Sequence, residues 1–137
     1  MTLGRMDHVA IEVANLDLRI ERLCRTGGMR LLRRGENKRT GARLAMVGDA
    51  TGMKLELIEN PQAHEPRFLH IAFRSGNIDG ALAALVDQGW EKLRGPIELA
   101  EAEASSILVK DDEGFELQVL SYQPTSPDII EWTEETS

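Results

Sequence analysis

Hydrophobic and polar positions alternate over residues 6–13, Met-Asp-His-Val-Ala-Ile-Glu-Val. Val9, Ile11 and Val13 fall on one face and His8, Ala10 and Glu12 on the other, which predicts a half-buried β-strand. After Asn15 the period changes. Leu16, Ile20 and Leu23 recur at helical spacing until Gly27-Gly28, so a helix capped by Asn15 and stopped by glycine is expected. Three further strands are expected at 29–35, 42–48 and 53–59, with Gly41 and Gly52 in the turns and Asp49 beside the second. The second half reads in the same order. Residues 68–75 form a strand with Ile71 and Phe73 opposite His70, Ala72 and Arg74. Asn77 caps a helix containing Leu82, Leu85 and Val86, and Gly89 ends it. Strands at 91–94, 105–110 and 115–121 complete the pattern, with Asp111 to Gly114 as the last hairpin turn.

The two halves are copies of one plan. A shift of 62 positions carries His8 onto His70, Asn15 onto Asn77, Asp49 onto Asp111, Gly52 onto Gly114 and Glu56 onto Gln118. Two copies of a fixed period indicate a duplicated module closing on itself rather than a solenoid. Each copy is β-α-β-β-β, an α+β arrangement in which one amphipathic helix covers one face of its strands. The order of strands within the sheet does not follow from this pattern. Residues 1–122 are expected to form one domain made of module 6–60 and module 68–122. Residues 60–66 link the modules, and residues 123–137 form an acidic tail in which Ile129, Ile130 and Trp132 are the docking candidates.

Composition narrows the partners. At 137 residues with 42% hydrophobic positions, the chain can bury a sizeable core. The net charge of −7 argues against nucleic acid or an anionic membrane as the main partner. The basic cluster Arg30, Arg33, Arg34, Lys38, Arg39 and Arg43 reads first as a solvated hairpin tip and second as a groove for an anion. One cysteine, Cys24, excludes an intramolecular disulfide and a multi-cysteine zinc site, and its helical setting suggests a structural thiol. No apolar run approaches the roughly 20 residues that span a bilayer. With no signal-peptide pattern at the N-terminus, a cytoplasmic protein is expected.

The chemistry lies on the faces opposite the core. The four strands that carry His8, Glu56, His70 and Gln118 put Val9/Ile11/Val13, Leu55/Leu57, Ile71/Phe73 and Phe115/Leu117/Val119 on one side. The other side holds His8/Glu12, Lys54/Glu56, His70/Arg74 and Glu116/Gln118. A single strand histidine is more often structural than a ligand. Two at equivalent places, each matched by an oxygen donor in its module, point to a metal site of two imidazoles, one carboxylate and one amide. That N2O2 set suits one divalent ion of the zinc, nickel, cobalt, manganese or iron(II) kind. Calcium is not expected, because it prefers oxygen shells.

The segments Asp7-His8-Val9-Ala10-Ile11, Lys54 to Glu59, Leu69-His70-Ile71-Ala72-Phe73 and Asp112 to Gln118 resemble the vicinal oxygen chelate superfamily, which includes glyoxalase I, methylmalonyl-CoA epimerase, extradiol dioxygenases and bleomycin-binding proteins. The resemblance runs from Met6 to Tyr122. It implies a glyoxalase-like fold in which paired βαβββ modules form an open, curved mixed sheet. It also implies a divalent metal held from the first and last strands of each module, at His8, Glu56, His70 and Gln118. Glyoxalase and epimerase members usually carry Glu at the last of these positions. Gln is nonetheless a ligand type within the superfamily.

The expected function is therefore a divalent-metal-dependent lyase or isomerase of glyoxalase or epimerase type. It would act on a small substrate with vicinal oxygens through a metal-stabilised enediolate. Gln118 cannot ionise, so Glu56 is the candidate base, with Glu116 in reserve and Glu12 third. Arg74 and Lys54 are candidates for holding a substrate anion. The alternatives are a metal-free protein that sequesters a drug, which the 4% aromatic content does not favour, and an iron(II) ring-cleaving dioxygenase, whose acid normally comes from the final strand. Small members of the superfamily pair as homodimers, so a homodimer is expected, with the site inside one chain or shared between two.

Overall fold

The computed structural model describes residues 3–129. The elements follow one another as β1 (Met6–Val13), α1 (Leu16–Gly27), β2 (Arg30–Glu36), β3 (Arg43–Gly48), β4 (Lys54–Glu59), β5 (Arg67–Arg74), α2 (Ile78–Asp87), β6 (Glu91–Leu99), β7 (Ala104–Lys110) and β8 (Glu116–Tyr122), then a short 3-10 turn, Pro127–Ile129. This is βαβββ twice, as the repeat predicts. Of the tail candidates, Ile130 and Trp132 lie outside the described residues.

The chain divides into two compact units. One is His8–Leu69; the other joins the segment up to Asp7 with His70–Ile129. In the first unit the strands lie in the order β2-β3-β4-β1, antiparallel except for the parallel pair β4/β1. In the second the order β6-β7-β8-β5 repeats this, with β8/β5 parallel. Sequence pattern cannot supply this order, because a parallel neighbour is reached through a crossover rather than a turn. Both outer strands are irregular. β2 shifts register between Leu31 and Arg33, and β6 shifts between Lys92 and Arg94 and again between Arg94 and Ile97.

Each helix is fixed at its start by side chains. Asn15 accepts the amide hydrogen of Leu18 at 3.0 Å, and Asn77 accepts that of Gly80 at 2.9 Å. In the first unit the Leu16 amide also donates to Glu59 Oε2 at 2.8 Å, which ties α1 to the end of β4. The buried faces then meet. Leu16 and Ile20 pack on Val13, Ala45, Val47 and Leu57, with half-buried Cys24 beside them. Ile78, Ala81 and Leu85 pack on Ile107, Val109, Leu117 and Val119. Burying each of the valine, leucine and isoleucine side chains is worth about 1.5–3 kcal/mol.

The hairpin turns before β4 and β8 are built alike. Asp49 Oδ1 accepts the amides of Thr51 and Met53 at 2.9 and 3.0 Å, and Asp111 Oδ1 accepts those of Glu113 and Phe115, both at 2.9 Å. Gly52 and Gly114 close these turns at φ of 90° and 88°, where a side chain would be strained. One strand is longer than its sequence predicts. The expected strand 91–94 stops at Gly95-Pro96, yet β6 continues to Leu99. Proline is tolerated there because β6 is an outer strand and needs no inward amide hydrogen. Gly95, at φ 97°, is required by crowding: a Cβ would run into the Ser106 carbonyl oxygen.

Candidate metal centre

In the first unit, the parallel register sets Ala10 opposite Glu56, so His8 lies two residues before the partner of the acid. His8 is 3% exposed, and its Nε2 lies 3.9 Å from Glu56 Oε1. That is too long for a hydrogen bond. It fits two donors to one ion, which can lie no more than about 4.2 Å apart when each is about 2.1 Å from a zinc-type cation.

The second unit repeats the arrangement. Ala72 lies opposite Gln118, so half-buried His70 keeps the same two-residue offset. Gln118 is buried, and its Nε2 donates to Ser106 Oγ at 2.9 Å. Its Oε1 is buried without a hydrogen-bond partner among the described residues. Leaving such an acceptor unsatisfied costs about 1–3 kcal/mol, a cost that an electropositive ligand removes. The donor types and this bare amide oxygen fit a borderline divalent ion.

The other candidates occupy varied surroundings. Glu116 sits half-buried at the start of β8 opposite Lys110. Lys54 opens β4 opposite Gly48 and is only 6% exposed. Glu12 is bonded by Arg67, whose guanidinium holds its carboxyl below the usual range. In the basic cluster, Arg43 and Arg34 converge on Asp17 at 3.0 and 2.9 Å, and Arg43 also reaches Glu59. The bonds from Arg43 and Arg34 hold the Asp17 carboxyl below its usual value. These exposed pairs contribute little to stability.

Arg74 is engaged inside the protein. Its Nε donates to Asp7 Oδ1 at 2.8 Å, and its guanidinium lies 5.4 Å from the centroid of the Tyr122 ring. Tyr122 donates its hydroxyl to the other oxygen, Asp7 Oδ2, at 2.6 Å. The backbone joins in: Gly4 N–H donates to Arg74 O at 2.7 Å, and Arg74 N–H donates to Arg5 O at 2.9 Å. Burial, and then the charge of Asp7, push the Tyr122 hydroxyl far above its usual range, so it remains a donor. Nothing in the repeat marks this network, because Leu69, Glu12 and Asn60 stand at the equivalent places. Tyr122→Phe strips one donor from a buried carboxylate and is expected to cost about 1–3 kcal/mol. Urea unfolding checks this; an unchanged midpoint would assign the bond no energetic role.

Paired βαβββ modules with an imidazole and an oxygen donor on the first and last strands of each define the class. A family model described as the glyoxalase/bleomycin resistance protein/dioxygenase superfamily matches residues 7–109, and the chain belongs to that superfamily. A probable lactoylglutathione lyase of Vibrio parahaemolyticus is 30% identical over 135 residues, covering 92% of this chain and 96% of that protein. The methylmalonyl-CoA epimerase of Mycobacterium tuberculosis superposes with a TM-score of 0.79 at 21% identity, covering 89% of this chain and 90% of that one. The Streptomyces coelicolor epimerase in complex with 2-nitronate-propionyl-CoA gives 0.76 at 22% identity, covering 91% of this chain and 99% of that one. The fold is thus glyoxalase-like over nearly the whole chain. Among the described residues, no helix is long and apolar enough to cross a membrane.

Proposed function

We propose that this chain is a divalent-metal-dependent enzyme of glyoxalase type, with His8, Glu56, His70 and Gln118 as the donors for one zinc, nickel, cobalt, manganese or iron(II) ion. The observation that carries the reading is the bare, buried Gln118 Oε1, on a strand register that matches the His8–Glu56 pair of the other half. The lyase named among the relatives supports the same direction. When bound, the ion supplies Lewis-acid stabilisation of negative charge on substrate oxygens.

The protein's own residues restrict the reaction further. Two neutral imidazoles, one carboxylate and one amide carry a single negative charge between them, one less than a set with two carboxylates. The site therefore favours a substrate that brings or develops an oxyanion. Glu56 is the one ionisable oxygen donor of the four. It takes the proton from the carbon beside the carbonyl and returns it to the neighbouring atom from the same side. Gln118, an amide, cannot act as a second base. A one-base proton transfer, as in a lyase or an aldehyde–ketone type isomerisation, suits this set better than a two-base epimerisation. The epimerase reading would need Glu116 as second base.

The test is reconstitution. Protein stripped with chelator is expected to regain activity with at least one of nickel, cobalt, zinc, manganese or iron(II), forming lactoylglutathione from an α-oxo aldehyde and glutathione. Faster turnover of a malonyl-type thioester would move the assignment to epimerase. A protein that retains none of these ions ends the metal reading, and chelator-insensitive capture of an aromatic drug would replace it with a binding role.

A further inference from the structure

We infer that Ser106 is a positioning residue for the metal donors: it holds the Gln118 amide with its carbonyl oxygen, rather than its nitrogen, presented to the cation. The inference rests on the metal-dependent reading above. A carboxylate ligand has two equivalent oxygens and needs no such control. A primary amide has one end that can ligate and one that can only donate hydrogens. A cation therefore requires the Gln118 amide to face one way, and presenting the carbonyl leaves the buried Nε2 in need of an acceptor. Ser106 supplies the acceptor that this orientation needs, at 2.9 Å.

Two independent features single out Ser106. It is itself buried, 4% exposed, on β7 between Ser105 and Ile107, where an apolar residue would be the ordinary choice. Across the 62-residue repeat its counterpart is Leu44. The hydroxyl thus stands only in the half whose oxygen ligand is an amide, and the half with the symmetric carboxylate has leucine there. The Ser106 backbone is also pressed closely by β6, because Gly95 has no side chain to hold the strands apart. The acceptor is therefore carried on a backbone with little room to shift.

Calorimetric titration of chelator-stripped protein with Zn²⁺ or Co²⁺ tests this without recourse to activity. Ser106→Ala is expected to weaken binding about tenfold to a hundredfold, the usual effect of removing a group that orients a ligand. Ser106→Thr, which keeps the hydroxyl, is expected to stay near wild type. In a Gln118→Glu background the same alanine change is expected to shift affinity by less than about threefold, because either carboxylate oxygen can face the ion. Should the alanine variant not fold, Ser106→Cys, with its weak acceptor, replaces it in both backgrounds. Equal affinity for Ser106→Ala and wild type overturns the inference. Equal losses in the Gln and Glu backgrounds do so too, because they indicate packing rather than amide orientation. Absence of metal binding by the wild type is a different result: it removes the metal reading and this inference with it.

Discussion

His8→Ala is expected to weaken divalent-metal binding by more than about a hundredfold, beyond the range found when only a supporting group is lost. The imidazole is 3% exposed, so its removal leaves a buried space rather than a solvent-filled surface position. Glu56 Oε1, 3.9 Å away in the wild type, would lose its neighbouring donor. The clearest measurement is the thermal midpoint with and without metal. A ligand at a hundred times its dissociation constant stabilises the native state by about 2.7 kcal/mol, so wild-type protein should melt higher with metal. The alanine variant should not respond. Imidazole added to the buffer should restore part of the response by filling the vacated space. A variant whose midpoint still rises with metal as the wild type's does would remove His8 from the donor set.

Glu56→Gln separates base from ligand. Glutamine keeps a carbonyl oxygen, as at Gln118, so a substantial share of metal affinity should survive. The proton acceptor does not survive. Turnover at saturating metal should fall by about 10²–10⁴-fold, the usual contribution of a positioned general base. Exchange of the substrate's carbon-bound hydrogen with deuterated solvent should fall in parallel. Glu116→Gln is the control and should remain near wild type. If Glu116→Gln gives the larger loss, the base lies on the last strand after all, and the two halves exchange the roles assigned to them here.

The candidate donors of the proposed site are legible in the chain. The 62-residue offset linking His8 to His70 and Glu56 to Gln118 is a property of the sequence, and period-2 alternation placed all four away from the apolar faces. Strand pairing was not legible. That β1 lies beside β4, and β5 beside β8, depends on crossovers whose length permits several sheet orders. The sequence predicts a short β6 because Gly95-Pro96 is a stop signal in isolation; the signal fails on an outer strand, where the absent amide hydrogen is not needed. The Asp7–Arg74–Tyr122 network was invisible for a different reason. Arg74 shares a strand face with His70, which made substrate contact a natural expectation, but only three-dimensional placement reveals the carboxylate that Arg74 engages. Ser106 could have been found. Comparing β7 with β3 across the repeat exposes a serine where the other copy has Leu44, and a polar residue beside a candidate amide donor is a detectable signal.

The irregular outer strands bear on solubility and assembly. An exposed strand edge invites another chain to add itself by backbone pairing, and runaway addition produces fibres. Among the described residues β2 is bonded to β3 alone and β6 to β7 alone. β2 carries Arg30, Arg33 and Arg34 along this margin, and β6 carries Glu91, Lys92, Arg94 and Pro96. Register breaks, like charges and a residue without an amide hydrogen leave neither margin a usable template. A second copy of this chain that associates in solution is therefore expected to dock through side-chain surfaces, leaving β2 and β6 unextended.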